Sequence, residues 1–307
     1  MSAGHTTRDG RRGGANFSLA ISVVAITLVA RVDSAGAAED PADLTYLPAR
    51  HEFSGSTQYT YVNSTGDVTS AAASPSYSYR LHTQVISQSL SFGFTDALRL
   101  SLGLAHGYVD SRYNFESVEY TVARHSEGTS YLALTYRLLK QSTQPFNLDL
   151  SVSNTGASTA LSYEAADFAI LARAGVHHGR GGTGFDPVQN VDLTISATWR
   201  YTAELGAQFK LSPRWSLNLG AAYTSSPFSG SSTASIGDSS FQLERPAVFS
   251  VGLAAIYHIV PDRFSVQLGY QHSFIGRRRD EYADPARNVL ASNQRQDAFG
   301  LALIYRF

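Results

Sequence analysis

Apolar and polar residues alternate one by one along much of this 307-residue chain. A period of two puts successive side chains on opposite faces of a strand, so the pattern predicts strands with one greasy face. Phe53, Thr57, Tyr59 and Tyr61 alternate with Ser54, Ser56, Gln58 and Thr60. Ile86, Leu90, Phe92 and Phe94 alternate with Ser and Gly, and after the turn TDA (95–97) Leu98, Leu100, Leu102 and Leu104 alternate with Arg99, Ser101, Gly103 and Ala105. Similar runs occupy 132–138, 146–152, 215–223, 249–257 and 264–270, and one phase persists from Val191 to Leu211. The last run ends the chain: Phe299, Leu301, Leu303, Tyr305 and Phe307 share a face, with Gly300, Ala302, Ile304 and Arg306 between them. Chain ends are usually polar and frayed unless tied down, so this one is expected to lie against something apolar.

Ten strands follow directly from these runs. The stretch 155–189 decides between ten and twelve. Leu161 and Tyr163 alternate with polar neighbours, AAD (165–167) suits a tight turn, and Phe168, Ile170, Ala172, Ala174 and Val176 resume the alternation. An extra hairpin there gives twelve strands; a single long loop gives ten. The links TDA, SPR (212–214) and VPD (260–262) are short, whereas those around 64–76, 111–127, 224–242 and 276–294 are long and rich in Ser, Gly, Asp and Arg. Short turns at one end and long loops at the other predict an all-β fold, a transmembrane antiparallel β-barrel with periplasmic turns and extracellular loops. A soluble sandwich needs an apolar interior on both sheets, but the face opposite the greasy one is small and polar throughout.

Residues 1–16 carry Arg8, Arg11 and Arg12, and an apolar run Phe17–Ala30 follows. That run is short for a membrane helix and fits the core of a secretion signal, with Ala35 and Ala37 forming a cleavage site. The expected organisation is a signal peptide over 1–37, a short periplasmic leader over 38–50 and a barrel over 51–307, in the outer membrane of a Gram-negative cell. The formal charge of the whole chain is -1. Removing 1–37 takes away four Arg and two Asp, leaving a mild negative balance that argues against nucleic acid as partner. Hydrophobic residues make up 43% of the chain and mean hydropathy is -0.14. That is too polar for a helical membrane protein but suits strands greasy on alternate residues only. Cysteine is absent, which excludes disulfides and a lipid-modified cysteine.

The terminal series Phe299, Leu301, Leu303, Tyr305 and Phe307 resembles the C-terminal signature of Gram-negative outer-membrane proteins. The resemblance implies that the last strand is read by the barrel-assembly machinery and then closes the barrel against the first. The stretch SLSFGFTDALRLSLGLAHGY (89–108) also resembles small channel-type barrels associated with uptake of aromatic and other hydrophobic compounds.

Candidate chemistry is sparse. A barrel lipid hydrolase resembling known ones would place His and Ser two residues apart on one strand face, and none of the eight histidines beyond the signal (His51, His82, His106, His125, His177, His178, His258, His272) has Ser at that offset. His177-His178 has no carboxylate at ligand spacing. No catalytic residue, metal or cofactor is assigned, and the protein is read as a non-enzyme. The inward face carries Arg99, Arg137, Asp149, Arg173, Arg200, Glu204, Lys210, Arg263 and Arg306 as pore-lining candidates. Arg99, Arg137, Lys210, Arg263 and Arg306 fall near short turns or the C-terminus, where a cationic ring would favour anions. Salt bridges to turn carboxylates such as Asp96 and Asp262 would cancel that field. Small inward residues, among them Gly93, Gly103, Gly206 and Gly220, are expected to leave a passage, and Gln208 is expected to be a tolerant inward position. Arg277, Arg278 and Arg279 follow a strand end in a long loop and are candidates for lipopolysaccharide phosphates. The expected function is a passive channel or transporter for small solutes, weakly anion-preferring or taking hydrophobic compounds. The alternative is a structural or surface-interaction barrel with a blocked lumen.

Overall fold

The computed structural model describes residues 44–70, 73–115, 118–179, 182–186, 191–228, 233–236, 239–282 and 288–307. The signal peptide and the first part of the leader lie outside them. Seventeen strands form one sheet. In order they are β1 (Phe53–Ser70), β2 (Ala73–Thr95), β3 (Leu98–Phe115), β4 (Val118–Leu139), β5 (Asn147–Ser153), β6 (Gly156–Glu164), β7 (Phe168–Gly179), β8 (Gly182–Asp186), β9 (Val191–Ile195), β10 (Thr198–Ser212), β11 (Trp215–Thr224), β12 (Thr233–Ile236), β13 (Ser239–Leu243), β14 (Val248–Val260), β15 (Phe264–Ile275), β16 (Arg278–Tyr282) and β17 (Val289–Arg306).

Twelve of these form the wall of a closed antiparallel barrel. β1 pairs with β2, the ladder continues through β7, then β10, β11, β14, β15 and β17, and β17 returns to β1. The extra hairpin at 155–176 is present as β6 and β7, paired from Gly156↔His177 to Glu164↔Ala169, so the twelve-strand expectation holds. Closure seals the seam: Phe53 N donates to Phe307 O at 2.9 Å and Phe307 N to Phe53 O at 2.8 Å. Each of the twelve wall strands has a ladder partner on both sides, which a bilayer demands because lipid offers no hydrogen bonds.

The barrel is inside out relative to a water-soluble fold. Leu205, Leu268 and Leu253 are 63%, 62% and 52% exposed on the outside. Thr83, Ser101, Thr198 and Gln208 are buried at 0–1% on the inside. An apolar surface this extensive on every wall strand is a lipid-facing belt.

Two expectations about connections need correcting. The stretches 64–76 and 111–127 are mostly strand: β1 and β2 stay paired as far as Ser70↔Ala73, and β3 and β4 as far as Phe115↔Val118. These hairpins rise above the greasy belt. In β1 the outward positions turn polar (Asn63, Thr65, Asp67) while Val62, Ser64 and Val68 stay buried inside, so the greasy outward face that marks a strand is lost and the extension reads as a loop. Connection length is also not strictly alternating, since β5 and β6 turn tightly at the loop end (register Ser153↔Gly156) while 140–146 at the turn end is a longer link. The long phase from Val191 to Leu211 is broken at 196–197. There Arg245 Nη2 takes the Ser196 carbonyl (3.4 Å) and Nη1 the Thr198 hydroxyl (3.2 Å).

Candidate functional site

The inward face is a polar lumen with three zones. At the turn end the leader lies across the mouth. The chain leaves β1 at Phe53 and meets the inward side of β2, where His51 N donates to Gly93 O (2.8 Å) and Gly93 N to Glu52 O (3.0 Å). The Ala49 and Pro48 carbonyls sit over Gly93, so even a methyl group at that position would collide with backbone. Arg50 N donates to Asp96 Oδ1 at 3.2 Å. Pro48 and Thr45 are buried. Thr45 Oγ1 reaches Glu164 Oε2 at 2.9 Å, and its carbonyl accepts from Arg137 Nη2 at 2.9 Å. Leu44 stands 3.2 Å from where a Cβ on Gly206 would be. β2 and β10 lie on different sides of the barrel, so the leader spans the opening. The Arg306 guanidinium stacks 3.9 Å above the Tyr46 ring, a cation–π contact that holds it from below. The described part of the leader, residues 44–50, thus caps the mouth.

Of the predicted cations, Arg137 touches this cap through the Thr45 carbonyl and Arg306 through the Tyr46 ring. Arg137 makes a fork to Asp149 (Nε–Oδ1 2.8 Å, Nη2–Oδ2 2.9 Å). Lys210 Nζ pairs with Glu164 Oε1 at 2.7 Å. Arg99 is buried and donates to Thr135 Oγ1 at 3.4 Å. Arg263 is exposed in the β14–β15 turn, where it lines a pocket at the mouth with Lys210, His258 and Arg306. The neutralising carboxylates are thus Asp149 and Glu164, not Asp96 and Asp262. Beside them His258 is held between two serines, with Ser216 Oγ 3.0 Å from Nε2 and Ser265 Oγ 2.8 Å from Nδ1. That arrangement joins β11, β14 and β15, so a search along one strand could not find it.

At mid-height the lumen widens into a cavity of about 320 Å³. Its wall includes Gln58, Ser89, Thr202, Ser250, Gln271 and Gln296. Arg173 and Glu204 face it as an ion pair at 3.2 Å. Tyr131 also lines it, with its ring in the space above Gly103, where no Cβ could fit. The glycines of the inward face therefore admit other groups instead of leaving a clear bore: Gly93 admits the leader backbone, Gly103 an aromatic ring and Gly206 the leader's Leu44. Gln208, expected to be tolerant, is 1% exposed and has no room for a larger group.

At the loop end the lumen is roofed by arginines. Arg200 is 5%, Arg245 8% and Arg278 4% exposed. Arg278 was expected to face lipopolysaccharide and instead points inward, because alternation in β16 sends its neighbours Arg277 and Arg279 outward. Arg279 lies 3.5 Å from Glu281 on the surface. Arg245 has no sequence signature: it is one cation in the link 244–247. Among the described residues no group of three or more His, Asp or Glu is placed to hold a metal ion.

No protein-family model and no curated protein sequence matches the chain significantly. Solved structures do. An outer membrane channel of the COG4313 group from Pseudomonas putida F1 matches at 13% identity with TM-score 0.50, covering 88% of this chain and all of the other. The translocator domain of the autotransporter NalP from Neisseria meningitidis matches at 11% identity with TM-score 0.50, covering 94% and 98%. The TodX monoaromatic hydrocarbon channel matches at 10% identity with TM-score 0.40, covering 87% and 92%. At these identities the likeness is one of fold. The fold is that of outer-membrane β-barrels, and it is shared by a channel and by a protein translocator.

Proposed function

We propose that this chain is an outer-membrane channel for small polar solutes, held closed at its periplasmic end by its own leader. The observation that supports this most is the combination of a cavity of about 320 Å³ at mid-lumen, with Ser, Thr and Gln in its wall, and a cap that is not woven into the barrel ladder. The contacts that hold residues 44–50 include side-chain hydrogen bonds, a backbone bond from Glu52 N to Ala49 O and a cation–π contact, with no ladder pairing. Such contacts each contribute on the order of 1 kcal/mol, so the cap can detach without unfolding the wall. The wall mixes Ser, Thr and Gln with Val62, Val248 and Ala298, so it offers hydrogen bonds to a polar solute and apolar contact to its carbon skeleton. The pairing of Arg137 and Lys210 with carboxylates leaves little net field at the periplasmic mouth.

Planar-bilayer recording tests this reading. The full-length mature protein is expected to give small or intermittent currents, and a variant lacking residues 44–50 larger and steadier ones. Silence from both, with intact heat-modifiable barrels, would move the assignment to a structural barrel with a blocked lumen.

A further inference from the structure

Arg200, Arg245 and Arg278 converge from three elements onto the inward face at the loop end. Arg200 lies on β10, directly opposite His177 of β7 in the ladder. Arg245 follows β13, and its guanidinium passes over Gly179 at the end of β7, 3.1 Å from where a Cβ there would stand. Arg278 begins β16. The β13–β16 ladder runs Leu243↔Asp280, and the backbone bonds Glu244 N to Arg279 O and Gly276 N to Ala247 O continue the same register, which sets Arg245 opposite Arg278. Arg200 and Arg245 are linked in turn, since Arg200 Nη2 donates to the Pro246 carbonyl and Arg245 Nη1 to Thr198 Oγ1.

All three side chains are more than nine-tenths buried. Arg200 bonds two carbonyls, of Ser225 and Pro246. Arg245 bonds a hydroxyl and a carbonyl, and its Nε is buried with no acceptor. Neither has a carboxylate partner among the described residues. Buried charges normally have a counter-charge, because carbonyl dipoles alone repay little of the hydration lost. Like charges side by side raise that need further.

We propose that these three arginines, with His177 beside them, form a binding site for a small oxyanion, a carboxylate or phosphate group. Guanidinium forks match such groups with paired N–H donors. The site opens downward. Thr202, one inward position below Arg200, and Val248, three residues past Arg245, both line the mid-lumen cavity. A solute with an anionic head and an uncharged hydroxylated body would fit the arginines above and the Ser, Thr and Gln wall below. The lipid-facing positions at this height are Trp199, Tyr201 and Phe249, so a headgroup in the membrane plane meets aromatic rings and not the guanidiniums. The source is therefore a free solute. As a statement about the transported solute the inference rests on the channel reading; as a binding site it stands without it.

The test is calorimetric titration of the purified protein in neutral detergent at low chloride, with inorganic phosphate and acetate as probes and lipid A micelles as a separate arm. Saturable binding of phosphate or acetate is expected, weakened about tenfold or more by Arg245→Gln and by Arg278→Gln. Each variant is first checked for the heat-modifiable gel shift of a folded barrel. Arg279→Gln, on the outer surface, is the control and is expected to bind as the wild type does. No saturable binding of either probe overturns the site, as does binding that survives both substitutions or binding of lipid A alone. Binding without bilayer current keeps the site and removes the channel; current without binding does the reverse.

Discussion

Gly103 shows how much a single inward position decides. In the sequence it is one of several small residues opposite a greasy face, and smallness suggests space. In the barrel that space is filled by the ring of Tyr131, its partner across β3 and β4. Gly103→Ala must displace the ring or the strand, and overpacking of this kind costs about 1–3 kcal/mol. Urea unfolding of the refolded protein should show a loss in that range. Tyr131→Ala does the opposite. It removes an aromatic ring that lines the cavity and is expected to raise single-channel current in the variant lacking residues 44–50. If the current is unchanged in a folded double variant, Tyr131 is not at the narrow point. The same limit of sequence applies to Arg245. Its role depends on β16 placing Arg278 opposite it, and no local pattern carries that information.

At the scale of elements, what was legible was the phase of each strand, because burial in lipid is a period-two constraint. Leu205 and Gln271 make that phase measurable. Leu205 lies outward at 63% exposure, and Leu205→Arg near the bilayer midplane should cost roughly 2–4 kcal/mol. Gln271 faces the mid-lumen cavity, and Gln271→Arg should fold in liposomes with near wild-type yield. Equal yields for the two would mean that the faces are reversed. Gln208, which has the same inward parity, is unsuitable for this comparison because its side chain is fully enclosed. What was not legible were the strand extensions and the leader. Above the belt the outward positions of β1 turn polar at Asn63, Thr65 and Asp67 while Val62, Ser64 and Val68 stay buried inside, so the greasy outward face is lost. The upper limit of the belt is visible on the outside. Tyr270 Oη donates to Asp297 Oδ1 at 2.7 Å and His272 Nδ1 meets the same oxygen at 2.8 Å, while Tyr61 Oη meets His82 Nδ1 at 2.7 Å. These groups share the outward parity of Leu268 and Phe299, so the hydrocarbon must end near them. The leader is fixed largely by side-chain contacts far apart in sequence, such as Thr45 with Glu164, which no periodicity encodes.

At the scale of the whole molecule the last residue completes the closed surface. Phe307 is 79% exposed, which would be unfavourable in water and is expected of a ring facing lipid. Its backbone forms the final rung of the β1–β17 seam through two bonds to Phe53, below a register that runs unbroken from Ser54↔Arg306 to Thr65↔Arg295. Its ring lies 5.7 Å from that of Tyr305, which in turn packs over Gly55 of β1. Rung and ring can be separated. Deleting Phe307 removes both; Phe307→Ala keeps the rung and loses the ring. If the assembly machinery reads the aromatic end of the strand, both variants should reach the outer membrane at reduced levels and accumulate as periplasmic fragments. If only the seam matters, Phe307→Ala should assemble normally while the deletion does not. Wild-type levels of the deletion variant in fractionated membranes would show that the terminal residue serves neither purpose. The closure would then rest on the preceding rungs between β1 and β17 alone.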